Sequence, residues 1–251
     1  MSKLITRRRA LLGGLAALGG GVAFARRPDQ LPPTYGHLLR AGDALTYSAH
    51  RILLPGGALA RQYDRADITS FPATGMTDPG RYLDTPLGEE YRRLRAEAFV
   101  DWRLEVGGLV ATPRSFSLAD LQALPARTQI TRHTCEEGWT AIGEWTGVPL
   151  ARLLEAAGMK PSARYVVTHS YDQWADCIDM NDVLHPQTLL AYGMNGRDLP
   201  VAHGAPVRLR VERQMGYKSM KYLRRIVVTD EFNAGDPSFL MQAGWSWYTG
   251  I

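Results

Sequence analysis

Val207, Leu209 and Val211 alternate with Arg208, Arg210 and Glu212, and only an extended strand sends residues of that period to opposite faces. One face is apolar and belongs in a core. The other carries two guanidinium groups and a carboxylate, which are costly to bury unless paired, so the fold must bring partners to it. The same period appears in Trp102–Val106 before Gly107-Gly108, and Tyr165–Thr168 reads as a further strand.

Helical spacing occupies the intervals between these strands. Ser117 is an N-cap with Asp120 three residues on, and Leu118, Leu121 and Leu124 form a stripe that Pro125 stops. Pro149 opens a second helix in which Leu150, Leu153, Leu154 and Ala157 share one face, with Gly158 at its end. Met180–Leu184 reads as a short capped helix, whereas Thr188–Tyr192 is a buried strand or a helix turn that periodicity does not separate. The mixture defines an α+β class. Residues 26–95 are rich in turn formers such as Pro55-Gly56-Gly57 and Asp78-Pro79-Gly80 and predict an extended arm, expected to form one globular unit with residues 96–251.

The amino terminus carries Lys3, Arg7, Arg8 and Arg9, then the weakly apolar run Ala10–Phe24 and the small-residue site Ala23-Phe24-Ala25. This predicts a removable export signal over residues 1–25, in a form close to the twin-arginine type, and hence a periplasmic protein. An uncleaved membrane anchor is the alternative, but about 15 Gly-rich residues are short for a span of about 20. The net charge of +4 comes from this segment, whose removal takes away four positive charges and no negative ones. A neutral mature chain argues against nucleic-acid binding. The 45% of hydrophobic and 22% of charged residues suit an ordinary soluble domain.

Cys135 follows a β-rich run and precedes a polar turn, Cys135-Glu136-Glu137-Gly138-Trp139, and is one of two cysteines. Its thiolate suits a metal ligand, a nucleophile with His133 or His169 as base, or a disulfide with Cys177 that would leave a binding module without redox chemistry. Further on, Gly216-Tyr217-Lys218-Ser219-Met220-Lys221 has the chemistry of an anion site. Arg208 adds a fork suited to phosphate oxygens.

The segments Arg132–Trp139, Gly147–Leu150, Leu189–Gly196, His203–Leu209 and Gly216–Lys221, in this order, resemble the molybdopterin-binding domain of the sulfite oxidase superfamily, nearest its bacterial single-domain branch. The resemblance implies a sulfite-oxidase-type fold and a molybdenum-molybdopterin cofactor, one per chain. It makes Cys135 the protein thiolate on the metal and Glu137 an acid that holds or moves a proton beside it. His133, His169 or Ser170, His203 and Arg208 become cofactor contacts, and Lys218, Ser219, Met220 and Lys221 close on the terminal phosphate, Met220 through its backbone. The arm segment Ile68–Gly75 resembles an early cofactor loop through Thr69, with Pro72-Ala73 where relatives carry a Tyr-Glu pair. Cys177 has no metal role there and reads as a core residue.

The implied reaction moves an oxygen atom to or from a small substrate. Sulfoxide reduction fits the single-domain form and Glu137; sulfite oxidation is the alternative, and it calls for clustered arginines, of which Arg132 is the one near Cys135. The chain is expected to be a monomer with no room for a haem or dimerisation domain. It would therefore exchange electrons with a membrane cytochrome b or a soluble cytochrome c, for which Gly244–Tyr248 offers an aromatic docking patch.

Overall fold

The structure, a computed structural model, describes residues 41–54, 56–232 and 245–251. The export signal expected at residues 1–25 lies outside the described residues. The chain divides into two compact units, one holding residues up to Ala58 together with Tyr248–Gly250, the other Leu59–Trp247 with Ile251. In the first, helix α1 (Ala41–Leu53) buries Tyr47, whose ring meets Tyr248 edge-on at 5.1 Å. Arg51 lies over both rings, at 4.9 and 5.0 Å. No described helix is long and apolar enough to cross a membrane.

In the second unit α2 (Pro79–Tyr82) and α3 (Pro86–Ala96) precede β1 (Arg103–Gly108), β2 (Arg114–Ser117), α4 (Leu118–Ala123), β3 (Arg127–Thr134) and β4 (Thr140–Pro149). Then come α5 (Leu150–Ala156), β5 (Tyr165–Ser170), β6 (Ala175–Asp179), α6 (Met180–Val183), β7 (Leu189–Met194), β8 (Arg197–Asp198), β9 (Arg208–Arg210) and β10 (Leu223–Thr229). One sheet runs β2-β1-β10-β5-β6, with β1 parallel to β10; the other runs β3-β4-β7-β8, with β9 also paired to β7.

The capping box at Ser117 forms as the sequence predicts, its hydroxyl accepting from Asp120 N at 3.0 Å and its own N–H donating to Asp120 Oδ2 at 2.8 Å. Leu150, Leu153 and Leu154 of α5 are fully buried and join Leu104, Val106, Ile226 and Val228 of the first sheet in one core. Thr188–Tyr192 resolves as part of a strand, β7. The arm is more regular than its composition predicts. Thr85 caps α3 by accepting from Gly88 N at 3.2 Å, and Tyr91 and Leu94 anchor it, but five charged residues in the same helix hide that stripe from a periodicity reading.

The second sheet answers the demand made by the charged face of β9. Arg208, Arg210 and Glu212 are all buried, and so are the polar residues Gln129, Thr131 and His133 along β3. Arg210 forks onto Glu212, Nε to Oε1 at 3.1 Å and a terminal nitrogen to Oε2 at 2.8 Å. Its other terminal nitrogen donates to His133 Nδ1 at 2.6 Å. Gln129 completes the set by donating to Glu212 Oε1 at 3.1 Å and to the Gln187 carbonyl at 3.0 Å. The indole of Trp145 lies beneath both guanidinium groups, 4.3 Å from Arg210 and 5.1 Å from Arg208. Strands β3 and β9 share no ladder and are linked in the sheet through β4 and β7, so these side-chain bonds add a direct tie between them.

Removing one member of a buried pair strands the other charge and typically costs about 3–5 kcal/mol. Glu212→Ala is therefore expected to lose about that much stability in urea unfolding; a loss below about 1 kcal/mol would show that the pair does not hold the sheet.

Candidate cofactor and active site

Cys135 occupies the first position of the β3–β4 hairpin turn. Its N–H donates to the Trp139 carbonyl at 2.9 Å, and Gly138 N donates to the Cys135 carbonyl at 3.1 Å. Gly138 turns the chain with φ +90°, a conformation that costs any residue with a Cβ. The thiol faces a cavity of 310 Å³ that is also lined by His133, Glu137, His203, Arg208, Ser219, Met220 and Lys221. Eight of the residues that the sequence points to thus meet at one place.

Burial pushes the Cys135 thiol up to about 11, with Glu136 and Glu137 adding to the shift; Glu136 Oε2 lies 3.5 Å from the sulfur. A bound cation reverses that balance and stabilises the thiolate. His133 cannot act as its base. Because arginine only donates, the 2.6 Å contact with Arg210 makes Nδ1 the acceptor and leaves the proton on Nε2. Burial next to Arg210 and Arg208 also pulls the imidazole pKa down to about 2. His169 sits in β5, in register with Arg225 and Ala175, away from the cavity lining. Neither histidine of the nucleophile reading is therefore in place as its base. The disulfide alternative fails as well, since Cys135 and Cys177 are both free and Cys177 is buried in β6.

The cationic end of the cavity is built differently. Arg208 donates to the carbonyls of His203 at 3.0 Å and Ser219 at 2.8 Å, while its buried Nε has no partner. Lys221 donates to the carbonyls of Thr74 at 2.9 Å, Ala202 at 3.4 Å and Met76. Among the described residues neither cation has a carboxylate within ion-pair distance. Burial lowers Arg208 to about 9, helped by Arg210, and lowers Lys221 to about 8, helped by Arg208, so both remain positive at neutral pH. Arg208 is buried and Lys221 half-buried, and both are held by backbone carbonyls, with Asp172 and Glu137 acting on Lys221 only from a distance; such cations favour an anionic ligand. His203, whose edge meets Phe71 at 5.6 Å, is held down to about 4 by burial and by Arg208 and Lys221.

Four residues stand elsewhere. Thr69 pairs with β4, accepting from Ile142 N at 2.9 Å. Ser170 bonds the Trp174 carbonyl at 3.0 Å and Asp172, behind the lining. His169 is placed as described above. Lys218 points into the core, where its ammonium donates to Asp176 Oδ1 at 2.9 Å and the Cys177 carbonyl at 3.1 Å. Its charge is neutralised there, because the 3-10 turn Gly216–Lys218 directs neighbouring side chains to different sides. Asp172 and Trp174, which the sequence did not single out, also line the cavity, as do Tyr217 and Trp245, expected only in the anion loop and in a docking patch, and the strap Phe71–Met76, which overlaps the early cofactor loop that the resemblance implied at Ile68–Gly75. The polar turn after β5 signals Asp172 and Trp174; the strap leaves no periodic signal.

Among the described residues no cluster of three or more His, Cys, Asp or Glu could hold a metal ion. A metal on Cys135 would thus take its other ligands from a cofactor, and a phosphate-bearing cofactor would satisfy the orphaned Arg208 Nε and the Lys221 charge. The donor set fits such a group. A single thiol and an uncompensated cationic pocket in one cavity define a cofactor-dependent oxidoreductase site. This chain belongs to the oxidoreductase molybdopterin binding domain family, which matches residues 93–236. It is 37% identical over 180 residues to a protein of Azospira oryzae provisionally named protein-methionine-sulfoxide reductase subunit YedZ1, covering 72% of this chain and 66% of that one. It is 30% identical over 243 residues to the protein-methionine-sulfoxide reductase catalytic subunit MsrP of Gluconobacter oxydans, covering 89% and 69%. The chain thus spans about two thirds of the length of these relatives. The crystal structure of the sulfane dehydrogenase SoxCD from Paracoccus pantotrophus shares the fold, with a TM-score of 0.50 at 24% identity over 79% of this chain and 56% of that one.

Gly216 is the tightest joint of the site. A Cβ there would lie 2.5 Å from His133 Nε2 and 3.3 Å from Cys135 Cα. Gly216→Ala is expected to lower the molybdenum content of purified protein at least fivefold while shifting the urea midpoint only modestly; full metal content would show that the loop does not register against Cys135.

The depressed His203 pKa has a sign that can be tested. The unfolded chain takes up a proton near the ordinary 6.5 and the folded one only near 4, so stability falls as pH drops through that window. His203→Gln should flatten part of this loss in urea midpoints measured from pH 7 to 4. An unchanged slope would place His203 outside the acid response.

Proposed function

We propose that this chain is the catalytic part of a periplasmic molybdenum enzyme that reduces sulfoxides. The observation that carries the reading is one cavity with the Cys135 thiol at one end and the unpaired cations Arg208 and Lys221 at the other. Cys135 would hold the metal, and Arg208, Lys221 and the Ser219 loop would hold the phosphate of molybdopterin. When bound, that group supplies the two-electron chemistry of oxygen-atom transfer. The names of the two relatives above support sulfoxide as the substrate class.

Reduction of a sulfoxide to a thioether and water consumes two electrons and two protons. Glu137 is the proton carrier on this chain. Its carboxylate accepts from Trp139 Nε1 at 3.0 Å, which fixes it at the cavity wall while it stays open to water. Neutral His133 stays a donor at Nε2 and orients the group beside Cys135. Electrons come from a redox protein, a membrane cytochrome b or a soluble cytochrome c. Sulfite-type oxidation is disfavoured because, among the described residues, Arg208 is the one arginine lining the cavity and this reading already gives it to the phosphate. Arg132 lies on the exposed face of β3. Export by the twin-arginine route is supported by the basic and apolar pattern of residues 1–25.

Protein exported through its own signal should carry about one molybdenum and one pterin per chain, both lost in Cys135→Ser. With reduced viologen as donor it should reduce sulfoxides. Glu137→Gln should keep the metal and lose about a hundredfold in kcat. Undiminished molybdenum in Cys135→Ser, or a Glu137→Gln variant with wild-type kcat, would contradict these assignments.

A further inference from the structure

Four aromatic rings, Phe71, Trp139, Tyr217 and Trp245, line the cavity that Cys135 faces. Phe71, in the strap, sets its edge against Trp139 at 5.6 Å and lies 5.2 Å from His133. Trp139 closes the turn that begins at Cys135, through the bond from Cys135 N to its carbonyl. Tyr217 follows Gly216, the residue that abuts His133 and Cys135, and meets Trp245 edge-on at 5.3 Å. Its hydroxyl donates to the Ser246 carbonyl at 2.8 Å, tying the carboxyl-terminal segment to the cavity. Trp245 is 37% exposed and lines the same cavity, so its ring reaches both water and the interior.

We propose that Phe71, Trp139, Tyr217 and Trp245 form an aromatic slot that selects sulfoxides bearing a large apolar substituent, aryl or long alkyl, over small polar ones. The inference rests on the sulfoxide reading above and gives it a substrate class. A sulfoxide is neutral, so its recognition needs no free cation. Its sulfur and carbon substituents gain from contact with ring edges and faces. Each edge-to-face pair presents such a surface to the cavity that the thiol faces. The strap reaches the slot because Lys221 holds the Thr74, Met76 and Ala202 carbonyls, which sets Phe71 in place. Phe71 and Trp245 are accordingly specificity-determining residues.

The test compares kcat/KM for methyl p-tolyl sulfoxide with that for dimethyl sulfoxide in wild-type holoenzyme, Phe71→Ala, Phe71→Leu and Trp245→Ala, with molybdenum content measured alongside. One lost ring contact corresponds to about tenfold. The tolyl-to-dimethyl ratio is expected to fall about tenfold in Phe71→Ala and Trp245→Ala, through KM for the tolyl substrate, and by less in Phe71→Leu, which keeps bulk without a ring. A ratio unchanged within about twofold in metal-replete Phe71→Leu and Trp245→Ala would overturn the slot. If the wild type reduces neither sulfoxide, the sulfoxide reading falls by itself. The slot is then judged by tryptophan quenching on titration with methyl p-tolyl sulfide. Binding weakened about tenfold in Phe71→Leu supports it, and equal binding overturns it.

Discussion

The buried ion pair between Arg210 and Glu212 is the constraint on which the rest of the site depends. Two charges in a dry interior are tolerated only when every lone pair and proton is engaged. Here the pair recruits Gln129 and His133 from β3, and Trp145 lies under the guanidinium. The end of β3 is held by its ladder to β4, in which His133 pairs with Ala141 and Thr134 with Thr140, and the polar set ties the same end to Arg210. Cys135 is two residues past His133. The thiol is therefore positioned by the hairpin ladder together with the buried polar set.

The same arrangement explains why Arg208 and Lys221 are kept without counter-ions. Glu212 is consumed by Arg210, and Asp176 by Lys218. The cavity also carries Glu136, Glu137 and Asp172, but Arg208 and Lys221 are themselves held by backbone carbonyls, which favours an anion beside them. A neutral His133 and a raised Cys135 pKa fit the same logic at the other end, where a cation is to be bound.

Much of this was legible in the sequence, because it rests on short-range patterns. The alternation from Val207 to Glu212 announced a strand whose charged face needed partners, and the Cys135 turn and Ser219–Lys221 loop carry their chemistry in consecutive residues. What was not legible depends on direction and distance. Lys218 and Lys221 are three residues apart and chemically alike, yet one ammonium meets Asp176 in the core and the other faces the cavity. Ser170 and Thr69 look like contacts in sequence but spend their hydroxyls on Trp174 and Ile142. Phe71 falls in the segment that resembles an early cofactor loop, but its own place is not periodic, since a strap has no period and its ring is defined by neighbours more than sixty residues away.

Whether Cys135 is a metal ligand in a cavity that takes a phosphate-bearing pterin is tested most directly by X-ray absorption at the molybdenum K-edge of the exported protein. A Cys135 thiolate on the metal gives a sulfur shell containing one sulfur more than the dithiolene pair of the pterin. A shell of the dithiolene sulfurs alone, in protein with full molybdenum content, would contradict it.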